Sequence, residues 1–314
     1  MSSSSTWRGI GGGGQLHALV LAGGFGRRLE PLTRRLFGEA IPKQFCSFDG
    51  ARSLLQQTID RIAPLMPPSR VTVIVDRSQA GRARRQLAGF QGLRQIEQPC
   101  DRGTAAGVLL PLLDLLGRAP DATVLLCASD HGVVDEVSFR ATIDAAQRAV
   151  VEDRSRVVLI GADADHANTD YGWIVRAGVL DAHEEVDAVD RFVEKPAADE
   201  AAALFASGRA LWNTMVLVVK GARLLALLRE RLPRLCRAMT ELLRGAGSFE
   251  SLRATDYSRL PSANFSADVV AAASGLFVLA LPVEAGWSDL GDEARLLEWL
   301  APRRAPRPEL EPAG

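Results

Sequence analysis

The sequence is poor in cysteine and lysine, carries no charge excess of either sign, and lacks any long hydrophobic run. Each shortage excludes something. Across 314 residues, 37 Lys and Arg face 38 Asp and Glu, a formal net charge of −1, so no broad basic surface for nucleic acid is expected. The four cysteines, Cys46, Cys100, Cys127 and Cys236, make neither a C-x-x-C pair nor a Cys/His cluster. That spacing predicts a reduced chain without disulfides or structural zinc, placed in the cytoplasm. No apolar stretch approaches the roughly 18 residues of a membrane span, and residues 1–14, Ser-rich then Gly-rich, contain no apolar signal core. No membrane partner is expected. What is present is a globular composition, 47% hydrophobic and 24% charged, able to bury a sizeable core.

Between two segments expected to be disordered, 1–14 and the proline-rich 302–314, short apolar runs alternate with helical patterns. The runs are Leu16–Leu21, Val71–Val75, Thr123–Cys127, Val157–Ile160, Met215–Val219 and Leu276–Leu281. Several are apolar throughout, which suits strands covered on both faces of a mostly parallel sheet. Helical patterns fall at 53–62, 78–87, 104–116, 138–152, 199–207 and 222–231. The alternation predicts an open, doubly wound α/β fold. Residues 171–193 and 211–219 interrupt it and are expected to add an antiparallel subregion closing over a ligand. The length suits two ordinary domains or one large one. No linker cuts the body, so 15–301 is read as one unit.

In such sheets ligands bind beyond the carboxyl ends of the strands. Directly after the first strand stands Leu21-Ala22-Gly23-Gly24-Phe25-Gly26-Arg27-Arg28-Leu29. Its glycines let backbone N–H groups approach an anion. The third glycine of a dinucleotide fingerprint is missing, and Lys43, between Pro42 and Gln44, fails the P-loop pattern. A loop with Arg27 and Arg28, followed by Lys43, suits a triphosphate better than a dinucleotide. Taken alone it reads equally well as a tight turn with solvated arginines.

Asp130, in Ser129-Asp130-His131, follows an apolar strand. Asp289 lies in Trp287-Ser288-Asp289-Leu290-Gly291-Asp292. Two carboxylates brought to a phosphate loop suggest Mg²⁺, which takes one or two carboxylates plus phosphate oxygens and water. A glycosidase acid/base pair would leave the phosphate loop unexplained. Separately, Asp130 could cap the helix near Ser138 and Asp289 could form an Asx-turn before Gly291. His131 is expected to pack beside Asp130 rather than ligate, since no second histidine stands at ligand spacing.

Together LAGGFGRRLEPLT, IPKQF, QPCDRGTA, ASDH, TDYGWI, RFVEKP, WNT and GWSDLGD, in this order over Leu16 to Trp299, resemble the sugar-1-phosphate nucleotidyltransferases, and among them most the mannose-1-phosphate guanylyltransferases. The resemblance implies a Rossmann-like nucleotide-diphospho-sugar transferase fold, with helices flanking the sheet. It implies transfer of a nucleotidyl group from an NTP, GTP by this likeness, to a sugar 1-phosphate, mannose 1-phosphate, releasing pyrophosphate with Mg²⁺. By the same likeness Arg28, Lys43, Asp130 and Asp289 are catalytic. Leu21, Ala22, Gly23, Gly24, Gly26, Arg27, Gln98, Gly103 and Thr104 are placed on the nucleotide. Tyr171, Gly172, Glu194, Lys195 and Asn213 are placed on the sugar phosphate, and Asp130 and Asp289 on the metal.

The chain departs from the family pattern at several positions. Arg27 stands where Thr is usual, Glu30 where an aromatic is usual, and Arg102-Gly103-Thr104-Ala105 replaces Arg-Asn-Thr-Ala. Thr169-Asp170-Tyr171-Gly172-Trp173 replaces Thr-Gly-Tyr-Gly-Tyr, and Trp212-Asn213-Thr214-Met215 replaces Trp-Asn-Ser-Gly. Asp268 is expected to line the site. The β-helix or cupin domain of longer relatives is not expected here. Another base or sugar, such as glucose or heptose 1-phosphate, and a non-catalytic regulatory homologue remain open. So does a homodimer.

Overall fold

A computed structural model describes residues 14–178 and 186–304. The strands are β1 (Leu16–Leu21), β2 (Val71–Asp76), β3 (Arg94–Gln98), β4 (Thr123–Ala128), β5 (Val157–Asp163), β6 (Gly172–Arg176), β7 (Asp187–Glu194), β8 (Ala210–Lys220) and β9 (Leu276–Leu281). The helices are α1 (Glu30–Phe37), α2 (Leu54–Ile62), α3 (Ala80–Leu87), α4 (Gly103–Arg118), α5 (Glu136–Glu152), α6 (Ala198–Ala206), α7 (Gly221–Arg231), α8 (Pro233–Ala246), α9 (Ala254–Tyr257) and α10 (Glu293–Arg304). Residues 302–304, expected in a disordered tail, thus continue α10. The rest of that expectation, at 1–13 and 305–314, lies outside the described residues.

The apolar character of β1 follows from burial on both faces. Leu19 packs into a core with α4, α7 and α8. Ala18 and Val20, pointing the other way, pack with α2, α3 and α5. Strand order is β3-β2-β1-β4-β8-β5-β9-β7-β6, with β8 also pairing β6. The expected parallel pairing holds from β3 through β4. Beyond β4 the sheet is mixed, because β8 runs antiparallel to β4 and β5, and β6 and β7 pair antiparallel. The pairings β8–β5–β9–β7–β6–β8 close into a ring; within it β6 pairs antiparallel with β7 and β8, the added subregion that the sequence implied, whereas β5 and β9 pair parallel. No described helix is long and apolar enough to cross a membrane.

The elements beyond those predicted include β3, α1, α8 and α9. β3 reads Arg-Gln-Ile-Glu-Gln, with Ile96 its one buried apolar residue; sequence hydropathy could not find it because it is a sheet edge held by backbone pairing to β2. Of the added helices, α8 buries Leu235, Cys236 and Met239 against the core. Local caps set helix starts where the chain supplies them. Ser53 and Gln56 form a reciprocal capping box on α2. Asp135, not Asp130, caps α5, accepting from the N–H groups of Val137 and Ser138, which leaves Asp130 available at the end of β4.

Candidate active site

The carboxyl ends of β1 to β4 open onto a cavity of about 550 Å³, a size that suits a bound nucleotide. Leu21, Asp76, Gln98 and Ala128 mark the four strand ends on its wall. Gly23, Gly24 and Phe25 form one side, Gly103 and Thr104 another, and Asp130 lies at the end of β4. Seven of the predicted residues thus border one cavity: Leu21, Gly23, Gly24, Gln98, Gly103, Thr104 and Asp130. Asp268 lines it too, as the sequence suggested; its Oδ2 accepts from the Asn264 N–H at 2.7 Å.

The glycine loop is shaped from beneath. Gln44 is buried, and its Nε2 donates to the carbonyls of Ala22 at 3.0 Å and Gly24 at 2.7 Å. Gln44 borders the same cavity as Gly23 and Gly24, so these bonds fix the loop at the cavity's edge. Gln44 was not among the predicted residues, although it neighbours Lys43; hydropathy gives a lone polar residue no signal. Ala22 accordingly serves the loop from behind rather than lining the cavity. Gly26 has φ 57°, and a Cβ there would stand 3.2 Å from the Lys43 backbone nitrogen. Both facts require glycine at that turn.

Gly103 carries a similar constraint. Its φ is 79°, and a Cβ would fall 2.2 Å from the Ala263 carbonyl oxygen. This accounts physically for glycine where the family pattern has Asn. The same strand of contacts, Ala105 N–H to the Ala263 carbonyl at 3.1 Å and Phe265 N–H to Thr104 Oγ1 at 2.8 Å, fastens residues 262–264 over the start of α4. Met215, at φ 55° in the β8 bulge between its Asn213 and Val216 pairings, also reaches this wall.

Lys43 joins the two aspartates. It is 7% exposed, and its ammonium lies 3.3 Å from Asp130 Oδ2. It also donates to the carbonyls of Asp289 and Leu290. Burial pushes the Asp130 carboxyl up, but Lys43, His131 and a backbone hydrogen bond together hold it below the usual carboxylate range. His131 sits 3.8 Å from Asp130 Oδ1 and packs edge-on to Trp287; burial holds it below the usual histidine value. It packs, as expected.

Asp289 does make the Asx-turn: the Gly291 N–H donates to its Oδ1 at 3.0 Å. The same oxygen accepts from Tyr171 Oη at 2.9 Å and Arg295 Nη1 at 2.7 Å. Asp130 and Asp289 supply hard oxygen donors, and Asp289 Oδ2 has no hydrogen bond among the described residues. No group of three or more His, Cys, Asp or Glu there could hold a metal by itself. Such donors are of the kind Mg²⁺ takes, one or two carboxylates with the rest of its shell made up by water and phosphate.

The residues expected on the sugar phosphate form a second group around the ring of strands. Tyr171 and Trp212 rings are 4.8 Å apart, and Tyr171 and Trp287 rings 5.8 Å. Gly172 pairs with Glu194 across β6 and β7, and a Cβ there would come within 2.8 Å of the Glu194 carboxylate. Burial raises the Glu194 carboxyl, with Lys195 opposing. Lys195 is exposed, at φ 48°, and its N–H donates to the Tyr171 carbonyl at 3.2 Å. Asn213 accepts from the Met215 N–H at 3.1 Å. Arg27 lies elsewhere, on a smaller cavity of about 130 Å³ beside Glu30 and Pro42. Arg28 is exposed and ion-paired at 2.9 Å to Asp170.

The nucleotidyl transferase family model matches residues 17–302. The xanthan biosynthesis protein XanB of Xanthomonas campestris pv. campestris is 31% identical over 288 residues, 89% of this chain and 58% of that protein. The mannose-1-phosphate guanylyltransferase of Escherichia coli K12 is 31% identical over 291 residues, 90% of this chain and 59% of that protein. The chain therefore spans less than three-fifths of the length of these two curated relatives. A crystal structure described as mannose-1-phosphate geranyltransferase from Thermus thermophilus superposes with a TM-score of 0.77 at 31% identity, covering 91% of this chain and 79% of that one. With the family model spanning nearly the whole described fold, the chain belongs to the nucleotidyl transferase family.

Proposed function

We propose that this chain transfers a nucleotidyl group from GTP to mannose 1-phosphate, giving GDP-mannose and pyrophosphate. The observation that carries the reading is the join made by Lys43. One buried ammonium ties Asp130, on the wall of the nucleotide-sized cavity, to the turn of Asp289, which itself touches Tyr171 of the sugar-side group. The names of the relatives support guanine and mannose.

In the reaction a sugar-phosphate oxygen attacks the α-phosphorus in line and pyrophosphate leaves. Both reactants are anionic and no protein nucleophile is needed, so catalysis rests on positioning and charge neutralisation. The glycine loop presents backbone N–H groups to the phosphates. Lys43 neutralises charge from its fixed place, Arg28 reaches the phosphates by leaving Asp170, and Lys195 meets the sugar phosphate. Asp130 and Asp289 are the residues that would hold Mg²⁺, whose contribution when bound is further neutralisation of phosphate charge. Four unpaired thiols favour a reducing, cytosolic setting.

The test is pyrophosphate release by purified protein with Mg²⁺, each NTP and a panel of sugar 1-phosphates. Release with GTP and mannose 1-phosphate above all other pairs is expected. Release with a different pair reassigns the substrates, and none with any pair refutes the enzyme reading.

A further inference from the structure

We propose that Arg295, a residue of the first turn of α10, is a positioning residue for this reaction, holding Asp289 and Tyr171 in a single fixed geometry. The inference rests on the proposed function and names a residue that the family resemblance did not.

Four acceptors surround one guanidinium. Nη1 donates to Asp289 Oδ1 at 2.7 Å and to Tyr171 Oη at 2.6 Å. Nε donates to Asp292 Oδ2 at 2.5 Å, and Nη2 lies 3.3 Å from Asp170 Oδ2. The guanidinium carbon stands 5.1 Å over the Tyr171 ring. A planar fork can meet this set in few orientations, and a lysine ammonium cannot reproduce it.

A simpler role would be capping α10, since Asp292 also accepts from the Arg295 N–H at 2.9 Å. A cap uses the backbone N–H and the Nε contact; it leaves the Nη1 and Nη2 contacts without purpose. Nor does α10 need Arg295 to dock, because Leu296, Trp299 and Leu300 are buried against Leu29, Leu32 and Leu54.

The consequence for the site is directional. Arg295, Tyr171 and the Gly291 N–H all occupy Asp289 Oδ1, which leaves Oδ2 as the oxygen able to meet a cation. The Arg295 and Asp289 side chains are 17% and 16% exposed, against 58% and 52% for Arg28 and Asp170. Exposed pairs are weak and exchange with water or ligand, whereas shielded charge-assisted bonds hold their geometry. Arg295 is thus the fixed end and Arg28 the releasable end of a chain that passes through Asp170. It connects the phosphate loop to the sugar-side tyrosine.

The experiment compares the wild type with Arg295→Met and Arg295→Lys. It combines steady-state kinetics with a Mg²⁺ titration read by tryptophan fluorescence without substrate, since Trp212 and Trp287 flank Tyr171. Arg295→Met is expected to lower kcat about tenfold or more, as loss of one charge-assisted contact does, and to raise the half-saturating Mg²⁺ about threefold or more. The KM for the nucleotide should stay within about twofold, because α10 contributes nothing to the nucleotide cavity. Arg295→Lys, keeping the charge, should recover part of kcat, which a purely structural loss would not show. Turnover by the wild type with unchanged kcat and Mg²⁺ midpoint in Arg295→Met refutes the positioning role and leaves the proposed function standing. No turnover by the wild type with a displaced midpoint in Arg295→Met does the reverse. No fluorescence response of the wild type to Mg²⁺ refutes the positioning role.

Discussion

Lys43→Met removes one charge while nearly keeping the side-chain volume. In the native chain the ammonium satisfies Asp130 and the carbonyls of Asp289 and Leu290, the latter residue held at φ 50°. Truncating one partner of a buried ion pair destabilises by about 3–5 kcal/mol. Asp130 is 27% exposed, so water recovers part of that, and about 2–4 kcal/mol is expected. For a chain of this size about 2 °C of Tm accompanies each kcal/mol, so Tm should fall by about 4–8 °C. Catalysis loses a fixed cation beside developing phosphate charge, a loss on the order of a hundredfold in kcat. The pH dependence carries its own sign. Net depression of the Asp130 carboxyl makes it a source of stability above its unfolded pKa of about 3.9, lost as pH falls through the still lower folded value. Without Lys43 burial dominates and raises that carboxyl, so the variant favours the protonated form. Its Tm deficit should therefore narrow from pH 8 towards pH 5. Differential scanning fluorimetry and pyrophosphate release at both pH values decide the matter. A Tm within about 1 °C of wild type, or a deficit that widens in acid, refutes the reasoning.

Asp130→Asn and Asp289→Asn should each abolish pyrophosphate release while retaining near wild-type circular dichroism, and excess EDTA should silence the wild type; rates close to wild type in both variants would overturn the metal assignment. Gly103→Ala should lower Tm and raise the KM for the nucleotide several-fold, because a positive φ and a Cβ 2.2 Å from Ala263 O together cost about 2–4 kcal/mol and displace the cavity wall at 262–264; unchanged KM would argue that this wall does not meet the nucleotide. Burial, with Arg70 and Arg118 adding, lowers His17 to about 4. Between that value and its unfolded pKa of about 6.5 the unfolded chain binds the extra proton, so acidification from pH 7 to 5 removes on the order of 2 kcal/mol, and His17→Gln should flatten that slope in urea titrations.

Much of the site was legible because its elements are local. The glycine loop, the strand-end position of Asp130 and the Asx-turn at Asp289 each involve a few consecutive residues. Arg295 left no such trace: an arginine early in a helix reads as a solvated charge or a cap. Its role appears only when Tyr171, 124 residues away, comes within 2.6 Å. β3 was hidden for a related reason. Its pairing to β2 is made by backbone groups that every residue carries, so a polar edge strand has no side-chain signature. The added subregion was visible as an interruption of the β-α rhythm, but its closure into a ring required the reversed β8 to pair with β4, β5 and β6.

By itself, then, the sequence determined the α/β class, the glycine-rich turn after β1 and the identity of the charged groups, since hydrophobic period, glycine placement and motif order are properties of short segments. Tertiary structure alone decided that Lys43 lies between Asp130 and Asp289, 246 residues further on, that Gln44 shapes the loop from behind, and that Arg28 and Arg295 share Asp170. Those outcomes depend on which distant backbone segments the two packed faces of the sheet bring together, and no local pattern encodes a contact whose partner is chosen by the packing of the whole core.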